Sequence, residues 1–379
     1  MKRLAINALR AGRPDAAAVD AFLAGREVPI VEGPRCTFLF RGEADAVHLA
    51  QRVHGLPELI PLRRVHGTDL WYLVLELPTG SRVNYQLEVR RGTHVERMND
   101  PLNEKVSYSP VGTSSVCFAD GYVTPDWTVP DVDARPGELV EITVPSRALR
   151  SERRVTVYLP ARFRRTATYP LLVVHDGGDF LQYAAAKTVL DNLIHRLDVA
   201  ETVVAFTHPG FRLGEYANSA AHSRFLTAEL VPHLESTLPL TGQRSGRSLL
   251  GASFGAVASL AAAHRAPTAY GSLVLMSGSF VHTDIGTDHG EDPVFDPIVR
   301  FVNRYRERPR RIADRLWVGC GVYEPLIVAN RSIVPTFEST GMTVRFVETR
   351  DGHNWENWRD TLRDALSWVL PGPQKWVYE

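Results

Sequence analysis

Beyond Gly137 the sequence alternates short apolar runs with longer stretches of helical periodicity, the pattern of parallel strands separated by crossover helices. The runs predict strands at Val140–Val144, Arg154–Leu159, Leu171–His175, Thr202–Phe206, Arg247–Leu250, Ser272–Met276, Arg315–Gly319 and Thr343–Val347. Apolar residues at helical spacing predict helices over Ala184–Asp198, Ser223–Ser236, Ala256–His264, Asp296–Tyr305, Ala329–Thr340 and Trp355–Val369. The expected closure is an α/β domain with one eight-stranded, mostly parallel sheet flanked by helices.

The preceding hundred or so residues follow a different rule, with short alternating segments between turn residues, as in a β-sandwich. The segments are Arg35–Arg41, Ala46–Arg52, Leu70–Leu77 and Val83–Arg90, with turns at Pro78-Thr79-Gly80 and Asp100-Pro101-Leu102-Asn103. At 379 residues the chain is long enough for two cores. The expected division is an N-terminal helical segment (1–27), a β-sandwich (28–130) and an α/β domain (131–379).

In the first segment Ala16, Val19, Phe22 and Leu23 share one face of a short amphipathic helix, and Arg10, Arg13, Asp15 and Asp20 interrupt any signal-peptide core. No apolar stretch is long enough to span a bilayer, so a cytoplasmic protein without a membrane partner is expected. Lys plus Arg and Asp plus Glu both number 43, and a net charge of zero gives no global attraction to nucleic acid or anionic membrane. Cys36, Cys117 and Cys320 form no metal-ligand spacing and are expected to be reduced, buried thiols.

Gly251-Ala252-Ser253-Phe254-Gly255 matches G-x-S-x-G and lies between the apolar run Ser248–Leu250 and the helical stretch from Ala256. A serine on so sharp a strand-to-helix turn exposes its Oγ at a helix N-terminus, and this is the nucleophile setting of the α/β-hydrolase fold. Ser253 is therefore the expected nucleophile, rather than a turn serine without chemistry. Ser277 and Ser279 follow a strand without a helix behind them and are expected to line the pocket.

Serine needs a neighbouring base, which in this fold follows the acid in the chain. Of thirteen histidines, His353 lies in a loop between the last strand and the last helix, after Gly352; His282 and His289 come before the expected acid. Glu324, just past the Arg315 strand, is the expected acid, with Asp351 the alternative. Backbone N–H groups of Phe254 and Gly178 are the expected oxyanion donors, Gly178 from the turn Asp176-Gly177-Gly178-Asp179. Ser277 and Asp179 are assigned to substrate contact. The pair His175-Asp176 lacks further ligands nearby, so neither a metal nor an organic cofactor is expected.

Taken together, FLFRG, GTDLWYLVLELP, DPLN, HDGGDF, Arg212–Tyr216, GASFG, Tyr323-Glu324-Pro325 with Asn330, and DGHNWENW make the chain resemble the enterochelin (ferric enterobactin) esterases, among the esterase D-like α/β-hydrolases. The resemblance implies an immunoglobulin-like N-terminal β-sandwich ahead of the hydrolase domain and a triad at Ser253, Glu324 and His353. It also implies an ester substrate of the catecholate siderophore type, cleaved in the cytoplasm to release iron, with Arg212 as a basic substrate-contact residue, although an Arg212–Glu215 ion pair is an equal reading. Such a ligand is anionic, and Arg300, Arg304, Arg306, Arg308, Arg310 and Arg311 either serve it or form the solvated face of a helix. Two other functions fit the same residues: an esterase for feruloyl-type carbohydrate esters, and a hydrolase-fold protein that binds without turnover.

Overall fold

A computed structural model of the chain describes residues 4–282 and 292–373. His289 lies outside the described residues. Contacts group the chain into two compact units, one running to Val123 and including Val322–Glu324 and Arg350–Gly352, the other formed by Thr124–Gly321, Pro325–Thr349 and the chain from His353.

The first unit is built on two antiparallel sheets. One has four strands in the order Ile30–Glu32, Arg35–Arg41, Leu70–Glu76, Arg63–Arg64. The other has six, centred on Arg82–Arg91, which pairs with Ala46–Gln51, Gly112–Phe118 and His94–Met98. Cys36, Phe38 and Phe40 share a core with Val47, Leu49, Tyr85, Leu87, Val89 and Cys117. On the alternate positions Leu39, Leu70 and Tyr72 pack with Ile6, Val19 and Phe22. The N-terminal segment forms two helices, Ala5–Ala11 and Ala16–Leu23, where one was expected; Asp15 caps the second by accepting from the Ala18 N–H at 2.8 Å. The DPLN turn is fixed by the buried Asp100 carboxylate, which accepts from Tyr85 Oη at 2.6 Å and the Leu102 N–H at 2.9 Å.

The second unit carries one eight-stranded sheet: β1 (Glu138–Ser146), β2 (Ser151–Leu159), β3 (Leu171–Val174), β4 (Val203–Thr207), β5 (Arg247–Ala252), β6 (Ser272–Met276), β7 (Arg315–Gly321) and β8 (Thr343–Thr349). Their order is β1-β2-β4-β3-β5-β6-β7-β8. The sheet is mixed: β2 runs antiparallel to β1 and β4, and the remaining neighbours are parallel. A short turn joins β1 to β2, too short for the crossover that parallel pairing needs. Strand β3 is buried throughout, with Leu171 and Val173 in the core on one face and Leu172 and Val174 in that on the other.

The helix expected over Ser223–Ser236 is present but not α-helical throughout. Ala220–Arg224 passes into a π-helical stretch, Phe225–Leu230, before α-helix resumes at Val231–Thr237. Pro232 lacks the N–H that regular i→i−4 bonding would use there. Among the described residues no helix is long and apolar enough to cross a membrane.

Candidate active site

Strands β3 to β8 are mutually parallel, so their carboxyl ends lie along one edge of the sheet, and the chain leaving β3, β5, β6 and β8 brings the candidate residues there. Ser253 links β5 directly to the helix Phe254–Arg265 with φ 57° and ψ −120°, backbone angles that a non-glycine residue adopts only when its surroundings enforce them. The enforcement is visible. The Ser253 N–H donates to the Met276 carbonyl at 2.9 Å, and its own carbonyl accepts from Ala256 at 3.1 Å.

The flanking glycines have steric reasons. A Cβ at Gly251 would stand 2.2 Å from the Gly255 oxygen, and one at Gly255 would stand 3.1 Å from His175 Cβ. Ser253 is partly exposed, and Phe254 opens a 12-residue helix, with its N–H among the first-turn groups that lack an intrahelical acceptor. Gly178 lies in the first turn of a helix, Gly177–Tyr183, where the sequence indicated only a turn.

Arg212 does not pair with Glu215. Its Nε and Nη2 donate to the two oxygens of Asp176 at 2.8 and 2.7 Å, a bidentate pair beside the glycine turn. The Tyr216 hydroxyl accepts from the Asp176 N–H at 3.0 Å. Glu215 instead binds Arg153 at 2.7 Å and accepts from the N–H groups of Gly210 and Phe211, both at 3.1 Å. Burial would raise the Glu215 carboxyl, but His222, the Phe211 N–H and Arg153 outweigh it and hold it at about 2. Asp179 is half-buried, and burial followed by the charge of Asp176 raises its carboxyl.

Ser277, assigned to substrate contact, lies just past the end of β6. It is fully buried, and its Oγ accepts from the Trp358 indole at 2.9 Å. Ser279 is the serine beside Ser253, with its Oγ 3.3 Å from that of Ser253. His353 is exposed, and its ring lies edge-on to Trp358 with centroids 5.1 Å apart. Glu324 is buried in the turn following β7 and is not a surface glutamate. Asp351, the alternative acid, has its carboxylate 3.4 Å from Arg82 Nη1 and accepts from the Gly352 N–H at 2.7 Å. The arginine run is largely partnered: Arg306 binds Ser332, Arg311 binds Asp314, Arg310 meets His264, and Arg300 pairs with Asp296.

Beneath the Ser253 turn His175 is fully buried. Its Nδ1 faces Leu250 O at 3.2 Å and Ser259 Oγ at 3.1 Å, and its Nε2 faces His222 Nε2 at 3.2 Å. Burial, then the charge of His222, pushes its imidazole down to about 3. The unfolded chain takes up this proton below roughly pH 6.5 and the folded chain does not until near 3, so stability falls as the pH drops through that window. Each unit of pH removes up to about 1.4 kcal/mol through this one group. Urea midpoints measured from pH 7 to 4 should show the decline, and His175→Gln should flatten it; parallel profiles would refute the assignment.

Sheet order and the strand–serine–helix turn at its carboxyl edge define the class as α/β-hydrolase. The chain belongs to the esterase family, whose model, described as "Putative esterase", matches residues 146–369. Among curated relatives, "Uncharacterized protein YjcH" of Bacillus subtilis is 26% identical over 139 residues, which cover 35% of this chain and 58% of that protein's length. The iron(III) enterobactin esterase of Dickeya dadantii is 22% identical over 363 residues, covering 82% of this chain and 79% of the relative. The crystal structure of the ferric enterobactin esterase of Salmonella typhimurium superposes with a TM-score of 0.72 at 19% identity, over 88% of this chain and 93% of that one. At that identity the superposition speaks for the fold.

Proposed function

We propose that the chain is a serine esterase that cleaves carboxylic esters through an acyl-enzyme, and that its substrate is a catecholate siderophore ester of the enterobactin type, opened in the cytoplasm to release iron. The observation that carries the chemistry is the enforced positive φ of Ser253 at the head of a buried helix. In acylation Ser253 Oγ gives its proton to His353 and attacks the ester carbonyl, whose π electrons move to oxygen. The N–H groups of Phe254 and Gly178 receive that oxyanion, and His353 returns the proton to the departing alcohol. Water then repeats the sequence to free the acid. The acid of the triad is assigned to Glu324, whose role would be to stabilise an imidazolium.

Arg212, a third exposed while tied to Asp176, presents positive charge to an anionic ligand, and Asp179 lies beside that pair. Phe211, 70% exposed next to Arg212, offers an aromatic face. The N-terminal unit is proposed to be an immunoglobulin-like sandwich. The substrate assignment is supported by the names of the Dickeya and Salmonella relatives and by these two side chains.

Purified protein incubated with enterobactin, ferric and iron-free, should yield dihydroxybenzoylserine units by chromatography. Unchanged enterobactin beside rapid cleavage of a feruloyl ester would replace the siderophore with a carbohydrate ester. Absence of turnover on both and on p-nitrophenyl butyrate would leave a binding protein.

A further inference from the structure

The segment leaving β6 is held more firmly than a connecting loop requires. Ser277 adopts φ 45°, accepts from the Trp358 indole, and donates its N–H to the Gly319 carbonyl at 2.6 Å. Gly278 is gripped on both sides by one buried side chain. Asn330 Oδ1 accepts from the Gly278 N–H at 3.2 Å, while Asn330 Nδ2 donates to the Gly278 carbonyl at 2.8 Å and to Leu326 O at 2.9 Å. A Cβ at Gly278 would stand 2.1 Å from the Phe280 ring. Ser279 follows, its N–H donating to the Ser253 carbonyl at 3.3 Å and its Oγ 3.3 Å from Ser253 Oγ. The last helix, the helix Ile327–Glu338 and the nucleophile turn thus fix three successive residues, and the result is a second hydroxyl set against the first.

The direction of the hydroxyl–hydroxyl bond follows from burial. Ser279 is 2% exposed, and Ser253 Oγ is the one hydrogen-bond partner of its side chain among the described residues. A buried hydroxyl that shares its proton with nothing is unfavourable, so the Ser279 proton goes to Ser253 Oγ. Ser253 is partly exposed and has other directions available for its own proton. An oxygen that accepts from Ser279 therefore turns its O–H bond away from Ser279.

We propose that Ser279 is a further catalytic residue, donating to Ser253 Oγ so that the nucleophile's own proton faces the base, and that Asn330 is the positioning residue that holds Ser279 there. The proposal rests on Ser253 being the nucleophile. The Ser279 O–H bond stays intact throughout: the proton lost in acylation is that of Ser253, which passes to His353, and the freed electron pair on Oγ forms the bond to the acyl carbon. In deacylation that bond breaks, the pair returns to Oγ, and the same donor steadies it.

The full chain and its Ser279→Ala, Ser279→Thr, Asn330→Asp and Ser279→Ala/Asn330→Asp variants would be compared. The readouts are the second-order rate of labelling by a fluorophosphonate, kcat and KM on p-nitrophenyl butyrate, and the thermal midpoint. Ser279→Ala should label about tenfold more slowly, with the loss in kcat rather than KM and an unchanged midpoint. Ser279→Thr, which keeps the hydroxyl, should recover most of the rate. Asn330→Asp keeps the acceptor for the Gly278 N–H and loses the donor to its carbonyl. It should be slow alone and add nothing in the Ser279→Ala background.

Wild-type labelling matched by Ser279→Ala would overturn the role of Ser279, and additive losses would overturn that of Asn330. If Asn330→Asp does not fold, the alanine and threonine variants decide the matter for Ser279. A wild-type protein that does not label at all removes the serine-esterase reading itself, and this proposal with it.

Discussion

Ser253→Ala should lose about 10⁴-fold or more in kcat on any ester the protein cleaves, with binding and thermal stability close to those of the parent. The side chain is small and partly exposed, so its removal leaves no large cavity. His353→Ala should lose a comparable factor, because an unassisted hydroxyl is almost as inert as an absent one. The double variant should be no worse than either single one, since the two groups act on one proton. His353 is exposed, so a rate loss there cannot be ascribed to unfolding if the urea midpoint holds. Steady-state kinetics on p-nitrophenyl butyrate reads all three. Multiplying losses would mean that the two residues act separately.

Gly251→Ala should have the largest effect on stability. The new methyl would meet the Gly255 oxygen at 2.2 Å, the Gly255 carbonyl carbon at 2.3 Å and Ala256 N at 2.8 Å, all backbone atoms in the first turn of the helix behind Ser253. No side chain can swing aside, so either the helix shifts or β5 does, and both carry Ser253 with them. Overpacking against fixed backbone costs about 3 kcal/mol or more. Urea denaturation should show that loss together with near-complete loss of fluorophosphonate labelling. Gly255→Ala is the milder control, because its nearest neighbour would be His175 Cβ at 3.1 Å. A Gly251→Ala protein with the parent's midpoint and labelling rate would contradict the packing described here.

What could be seen in the sequence was what is local or periodic. The buried strands β3 to β7 are short apolar runs in both sequence and structure, and G-x-S-x-G lies where strand gives way to helix. Strand His94–Met98 has no signal in the sequence, because its side chains are mostly exposed and carry no alternation. Pairings across long sequence gaps were not legible. Arg212 and Glu215, three residues apart, look like partners, yet each binds a residue far away, Asp176 and Arg153 respectively.

The surroundings of Ser277 were hidden for a related reason. A serine after a strand looks solvent-facing until Trp358, 81 residues on, is found covering it. The same limit hid Asn330 as a clamp, for an asparagine within a helix shows nothing of the loop it grips. The sheet is mostly parallel as expected, and its antiparallel part follows from the short β1–β2 hairpin.

Ser253 Oγ is proposed to be the atom that bonds to the acyl group. Mass-spectrometric mapping of the chain after reaction with a fluorophosphonate addresses this directly. The predicted result is a single phosphonylated site, on Ser253, formed in the native protein and lost on denaturation before labelling. An adduct on another residue, or an unmodified chain under conditions that label a known serine esterase to completion, would contradict it.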